Sequence, residues 1–142
     1  MRRTSAAMEP LEQLRAKITD FPGYETSLER RRSDAYVRSY MGEALSEMAA
    51  RCALTADLKE RVDELTLRVA FADARAFPNH AGAVHDSTRD SGEIAAADAA
   101  TIELADRAAT IGTGSASRYL DEVTAALDRR DAAIRAALPK MP

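Results

Sequence analysis

Apolar side chains recur along this chain at intervals of three and four residues, which is the period of an amphipathic α-helix. The clearest run lies mid-chain and consists of Leu58, Val62, Leu65, Val69, Ala72 and Ala76. Alternating steps of four and three residues place such a run on one seam, as in left-handed helix bundles. Long runs of β-branched residues, which favour strands, are missing. The pattern therefore predicts an all-helical chain.

Two helices are predicted in the first third of the chain. The first covers about residues 8–20 and ends before Pro22, which cannot continue the backbone hydrogen-bond ladder. The second begins after Thr26 and extends to about Cys52. Thr26 and Glu29 fit a capping box, in which the threonine hydroxyl accepts the Glu29 backbone N–H and the glutamate side chain reaches back.

The third helix is predicted to start after Thr55, a favourable N-cap residue, and to end at Pro78. Residues 53–55 contain neither Gly nor Pro, so one continuous helix over residues 26–77 is the alternative. Further apolar side chains flank the seam of this helix: Leu54, Leu67 and Phe71. Because a helix that is apolar on more than one stripe needs additional cover, this region is a candidate for contact with another surface.

The fourth helix is predicted to start at an N-cap on Asp90 or Ser91. Its seam is again heptad-spaced and built from small residues: Ile94, Ala97, Thr101, Leu104, Ala108 and Ile111. Residues 112–114, with the sequence Gly-Thr-Gly, stop this helix. They follow a helix rather than a strand, so they indicate a helix end rather than a phosphate-binding loop.

The fifth helix is predicted to be capped by Ser115 or Ser117 and to end at Pro139. Its apolar stripe consists of Leu120, Val123, Leu127, Ile134 and Leu138. Arg130 interrupts this stripe, and the sequence offers no reason for a charge at that position.

Short connections between long helices favour antiparallel neighbours. The predicted fold is therefore an all-α, antiparallel up-down four-helix bundle with an additional short N-terminal helix. Residues 1–142 are expected to form a single domain, with residues 1–7 as a loose N-terminal tail. Low Gly and Pro counts, six and five, agree with a helical chain.

Charge, cysteine content and hydropathy bear on three questions: nucleic-acid binding, cellular compartment and membrane insertion. The formal net charge is −3 and no basic stripe is present, so a nucleic-acid partner is not expected. Cys52 is the lone cysteine, which agrees with a reducing compartment, and a cytoplasmic location is expected. No apolar stretch is long enough for a transmembrane segment.

Few residues suggest chemistry. His80, His85 and Asp86 have side chains that could bind zinc, although a solvent-exposed polar loop is the simpler interpretation. A di-iron site of the helix-bundle type would need Glu-x-x-His motifs, and the sequence contains none. No catalytic residue, cofactor-binding residue or metal ligand is therefore predicted, and no cofactor is expected.

A candidate interaction surface lies on the second helix, where Arg and Tyr, residues enriched at binding hot spots, share one face. It consists of Arg32, Tyr36, Tyr40 and Glu43. The preferred hypothesis is a non-enzymatic helical interaction or structural module that binds itself, as a dimer, or another protein through apolar helix faces. The alternative is a small-molecule- or metal-binding bundle, possibly an enzyme, whose pocket would be lined by Tyr36, Tyr40 and carboxylates.

Overall fold

The computed structural model describes residues 9–71 and 88–137, and these ranges contain helices and no strands. The α-helices are α1 (Pro10–Lys17), α2 (Ser27–Arg51), α3 (Ala56–Phe71), α4 (Thr88–Arg107) and α5 (Ala116–Ala137). Two short 3-10 turns, Ala108–Thr110 and Thr113–Ser115, connect α4 to α5. The all-α prediction is confirmed for these residues.

The long helices surround a shared apolar core. Helix α2 packs against α3 and α4, and α5 also packs against α3 and α4, while the short α1 lies on α4. The larger cluster of buried residues includes Met41, Leu45, Val62, Leu65, Leu104, Leu120 and Val123. The smaller cluster joins α1 to α4 and includes Leu14, Ile18, Phe21, Val37, Ile94 and Ile102. Seam residues read from the sequence for α3, α4 and α5 therefore supply much of this core, although Ala97 of the α4 seam is only half-buried and Ile102, outside that seam, is buried.

Helix α1 ends earlier than predicted. It stops at Lys17, because Ile18 adopts an extended conformation and Asp20 has a left-handed φ of 66°. The Ile18 N–H still bonds to the Leu14 carbonyl oxygen, at 2.8 Å, and closes the last turn. The predicted end near residue 20 was wrong because the chain turns before it reaches Pro22.

The predicted break between the second and third helices is confirmed, and the continuous-helix alternative is wrong. Cys52 has an extended backbone, with φ −94° and ψ 144°. The Thr55 hydroxyl then accepts the backbone N–H three residues later at 3.2 Å. At the start of α2, the Thr26 hydroxyl accepts the Glu29 N–H at 3.0 Å. Glu29 reaches back to the Glu25 N–H, one residue earlier than a standard capping box places it.

The boundaries of the last two helices differ from the predicted caps. Helix α4 already begins at Thr88, two residues before the nearer predicted cap. Ser117 lies inside α5, which begins at Ala116. Ser115 directly precedes α5, as predicted for a cap, but its hydroxyl bonds to the Gly112 backbone instead of the first turn of the helix: it accepts the N–H at 3.3 Å and donates to the carbonyl oxygen at 3.2 Å.

Several predictions lie outside the described residues. They concern the tail at residues 1–7, the seam beyond Phe71, the end at Pro78 and the final turn before Pro139. Within the described ranges, no helix combines the length and the apolar character that crossing a membrane requires.

Candidate functional site

The structure places the predicted interaction surface on the outer side of α2. Arg32 and Glu43 are exposed, and Tyr36 is 41% exposed with its ring tilted against Phe21 at 6.3 Å between centroids. Tyr40 is half-buried, and its hydroxyl donates to Asp106 of α4 at 2.5 Å. The four predicted residues therefore share one helix face, but Tyr40 also bridges α2 to α4.

A groove of about 480 Å³ runs between α2 and the end of α4. Its walls carry Tyr40, Glu43, Glu47 and Asp106, and Met48 and four alanines provide apolar surface. Because alanine side chains end at Cβ, they do not fill the space between these two helices, and the groove stays open. Two of the four predicted surface residues, Tyr40 and Glu43, line it.

Asp106 is the most constrained carboxylate of this groove. It accepts the Tyr40 hydroxyl and lies 2.8 Å from the Lys17 ammonium group of α1. Burial acts to raise the pKa of Asp106, but the hydrogen bonds from Lys17 and Tyr40 outweigh it, so its pKa lies below the ordinary value. The same hydrogen bond raises the pKa of Tyr40 to about 12. Asp106 is thus held ionised and Tyr40 held neutral near neutral pH.

Arg51 is the cation in the wall of this groove, and it is already engaged. Its guanidinium donates to the carbonyl oxygens of Ala108 and Ile111, the latter at 2.8 Å. These carbonyls lie at the end of α4, where backbone acceptors lack helical partners. Arg51 therefore closes the end of the neighbouring helix rather than neutralising the groove carboxylates.

A second groove, of about 550 Å³, lies on the other side of α2, against α3. Gly42 lies at its base, and a Cβ added there would come within 3.6 Å of the Val69 side chain. Arg38 crosses the groove and donates to the Val69 carbonyl oxygen at 2.9 Å. The two grooves make the middle of α2 a ridge, and Glu43 and Glu47 line both of them.

Large apolar side chains that remain exposed within the described residues are confined to α2 and α3. They are Leu28 at 50%, Tyr36 at 41%, Leu67 at 58% and Phe71 at 69% of full exposure. Leu67 and Phe71 are four residues apart, so they are neighbours on one face of α3. Two of the three flanking apolar residues predicted for the third helix, Leu67 and Phe71, therefore face outward, whereas Leu54 packs partly buried against the larger cluster.

A buried ionic network occupies the opposite side of α2, and Arg130 is its centre. The Arg130 side chain is 2% exposed, and its guanidinium pairs with Asp34 of α2 and with Asp98 of α4. The bond to Asp98 is 2.5 Å. The second carboxylate oxygen of Asp98 accepts the Tyr24 hydroxyl at 2.5 Å, and that of Asp34 accepts from Arg38 at 2.9 Å.

Desolvation and charge pairing shift the ionisation of this network. Burial raises the pKa of Asp98, although Arg130 and the Tyr24 hydroxyl act against that shift. Burial also raises the pKa of Tyr24, and the neighbouring Asp98 raises it further. For Arg130, burial alone would lower the pKa, but the two carboxylates hold its pKa above the ordinary value. The guanidinium is therefore a permanent charge inside the protein.

One sequence feature does point to this network: charged residues stand on the apolar stripes of separate helices, although no short motif joins them. Asp98 lies four residues after Ile94 and four before Ile102, on the buried stripe of α4. Arg130 likewise interrupts the buried stripe of α5, and Asp34 is buried on α2. Opposite charges on the apolar stripes of separate helices indicate a buried ion pair, since an unpaired charge there would be too costly.

The hydroxyl of Tyr24 is expected to stabilise the folded state through Asp98. Changing Tyr24 to phenylalanine removes the only hydrogen that this side chain donates, and we expect it to lower the free energy of unfolding by about 1–3 kcal/mol. Urea denaturation measures the change. The matched control is Tyr36→Phe, because that side chain is 41% exposed, and it should stay within about 0.5 kcal/mol of wild type. Equal effects at the two positions would contradict the assigned role.

The predicted metal candidates His80, His85 and Asp86 lie outside the described residues. Within residues 9–71 and 88–137, no group of three or more His, Cys, Asp or Glu side chains is arranged to hold a metal ion. Cys52 is buried, and its thiol lies 3.3 Å from the Ile111 carbonyl oxygen. Cys52 therefore behaves as a small core residue.

Comparison of the chain with protein-family models, with curated proteins and with solved structures finds no match. The class of protein is therefore described from its fold and from the two sides of α2 alone. It is an all-helical protein with a buried Asp–Arg–Asp network on one side of α2 and an open, partly apolar ridge on the other.

Proposed function

We propose that the protein is a non-enzymatic helical interaction module that binds itself or another protein through the outer faces of α2 and α3. The observation that carries this proposal is the confinement of exposed large apolar side chains to these two helices within the described residues. Exposed apolar groups scattered singly need no explanation, but groups concentrated on neighbouring elements are typical of contact surfaces.

Leu67 and Phe71 show the proposed surface most clearly. Full burial of one such side chain contributes roughly 1.5–3 kcal/mol, so covering both would favour association measurably. Polar side chains at Glu60 and Glu64 continue the same helix face and remain exposed. An apolar centre with a polar margin is the usual anatomy of a protein interface.

The titratable groups of the interior also support a non-enzymatic role. Asp34, Asp98 and Arg130 are almost completely buried, and each is engaged by the others or by a neighbouring side chain. A general acid or base must come within hydrogen-bond reach of its substrate, and these groups have no access to solvent. Their arrangement fits a structural role in holding three helices together.

A small-molecule-binding bundle is the second candidate. It is favoured by the groove between α2 and α4, which brings Tyr40 together with the carboxylates of Glu43, Glu47 and Asp106. Tyr40 and carboxylates were expected in such a pocket, whereas Tyr36, the other expected residue, does not line this groove. Its volume of about 480 Å³ falls within the usual size range of ligand sites.

Two finer features accompany the proposal. We propose that α2, α3, α4 and α5 run up-down-up-down as an antiparallel four-helix bundle, with α1 laid on its side. We also propose a cytoplasmic location, where a reducing environment keeps the thiol of Cys52 free. Neither a nucleic acid nor a bound cofactor forms part of this proposal.

Native mass spectrometry of the full chain, purified untagged, tests the proposal. The expected result is twice the chain mass, a higher multiple of it, or a defined complex with a second protein. Two double variants locate the surface: Leu28→Ser with Tyr36→Ser on α2, and Leu67→Ser with Phe71→Ser on α3. We expect at least one of them to shift the protein toward the mass of a single chain.

The matched control is Ala132→Ser with Ala136→Ser, two exposed positions one turn apart on α5. It should leave the assembly unchanged, and circular dichroism should show all variants to be folded. A bare single chain at every concentration would contradict the interaction proposal. A single chain that carries the extra mass of a small molecule would favour the second candidate.

A further inference from the structure

The outer face of α2 has opposite charges at its two ends. Arg32 lies in the N-terminal half, and Glu43 and Glu47 lie in the C-terminal half; all three are exposed. At 100° per residue, these side chains and Tyr36 fall within about 60° of one another around the helix axis. The face is therefore one stripe with an exposed positive charge toward one end and two exposed negative charges toward the other.

These charges have no counterpart among the residues that the structure describes. Neither Arg32 nor Glu43 nor Glu47 forms a salt bridge or hydrogen bond within residues 9–71 and 88–137. Elsewhere, arginines bridge neighbouring helices: Arg61 pairs with Asp121, Arg68 with Asp128 and Asp131, and Arg107 with Glu122. Unlike those arginines, the charges of the stripe on α2 are not already engaged by a neighbouring helix.

The spacing of the stripe makes it complementary to itself. Arg32 and Glu47 are equally distant from the midpoint between Ser39 and Tyr40, and so are Tyr36 and Glu43. If two α2 helices lie antiparallel about that midpoint, Arg32 faces Glu47 and Tyr36 faces Glu43. Two-fold symmetry then makes each of these contacts twice.

We infer that a second copy of this chain binds here, and that the protein forms a two-fold symmetric dimer through antiparallel α2 helices. The inference rests on the proposed function and specifies both its partner and its surface. A strongly anionic partner would be repelled by Glu43 and Glu47. A copy of the same chain brings its own Arg32 to that end, so the charges attract despite the overall negative charge.

The remaining residues of the stripe suit close contact. Ser39, at the centre, is small and exposed, and Leu28 and Tyr36 add exposed apolar surface toward one end. Helix α2 has 25 residues, so it is about 37 Å long and offers a strip of roughly 400 Å² per copy. That is about half the area per partner in a typical stable interface, so we expect a dimer of micromolar rather than nanomolar affinity.

Charge reversal and exchange test this arrangement in the full chain. Arg32→Glu places a carboxylate opposite Glu47, and Glu47→Arg places two guanidinium groups together. Each single variant should weaken the dimer by about 10-fold or more, because like charges then face each other twice. The double variant exchanges the two charges, and its dissociation constant should return to within about 3-fold of wild type. Sedimentation velocity across a concentration series measures all four proteins.

The control for net charge is Arg118→Glu, which reverses an exposed arginine on α5 and changes the total charge by the same amount as Arg32→Glu. It should leave the dimer unchanged. Ser39→Cys provides a second measurement, since both copies of position 39 lie near the two-fold axis. Mild oxidation should cross-link that variant efficiently, and Ala132→Cys, on exposed α5, should not cross-link.

The outcomes separate this inference from the proposed function. If neither single charge reversal weakens the dimer, or if the double variant does not restore its affinity, the α2 pairing is refuted. The proposal of an interaction module is then unaffected. Equal weakening by Arg118→Glu would also refute the α2 pairing, because only net charge would then matter. A chain that neither self-associates nor carries another protein overturns both proposals.

Discussion

Replacing Arg130 with alanine is expected to lower the free energy of unfolding by about 3–5 kcal/mol. The substitution removes the cation that pairs with Asp34 and Asp98, both of which are 0% exposed. Asp98 would then remain in the interior without a counter-ion and would have to take up a proton, whereas Asp34 would keep only its pairing with Arg38. For a domain of this size, such a loss is a large part of the total stability.

Urea denaturation followed by far-ultraviolet circular dichroism measures this effect. The adjacent residue Arg129 is exposed, so Arg129→Ala is a matched control and should change stability by no more than about 0.5 kcal/mol. If Arg130→Ala costs less than about 1 kcal/mol, the network behaves like an exposed salt bridge and the interpretation of a buried charge cluster is wrong.

The second large effect is expected in the apolar core. Leu45 lies on the buried face of α2 and is 0% exposed within the larger cluster of buried residues. Leu45→Ala removes side-chain carbons from a packed site and leaves a cavity, so we expect it to lower the free energy of unfolding by about 2–5 kcal/mol. The same denaturation experiment measures it.

Leu67→Ala is the matched control for Leu45→Ala, since it makes the same chemical change at a position that is 58% exposed. It should shift the unfolding free energy of the isolated chain by about 0.5 kcal/mol or less. A large loss at Leu67 would show that this side chain is covered in solution, as it would be inside an assembly. Repeating the measurement at low protein concentration distinguishes that case, because dissociation removes the cover.

Local sequence signals predicted helix starts well where the interacting groups are only a few residues apart in the chain. Thr26 and Thr55 cap their helices through hydroxyls that accept a backbone N–H three residues later. Such a contact depends on a few consecutive residues, so it can be read from sequence. The early end of α1 was missed because the left-handed Asp20 is an uncommon conformation for a residue other than glycine.

The ionic network was missed because its members are far apart along the chain. Arg130 lies 32 residues from Asp98 and 96 residues from Asp34, so no spacing rule joins them. Tyr24 adds a further contact across 74 residues. By contrast, the candidate face of α2 could be predicted from the sequence, because residues on one helix keep their relative positions wherever that helix packs. What binds there depends on a second molecule, so the sequence of one chain does not reveal it.

The pairing of Arg130 with two different helices also restricts how α5 can slide. A shift of α5 by one turn, about 5.4 Å, would carry the guanidinium away from both carboxylates. The small side chains along α4, including Ala95, Ala99 and Ala105, would still accept apolar neighbours from α5 after such a shift. Apolar contact alone therefore leaves several axial alignments close in energy, and the buried charges select one of them. A variant with apolar residues at all three charged positions could match the wild type in stability while sampling more than one alignment.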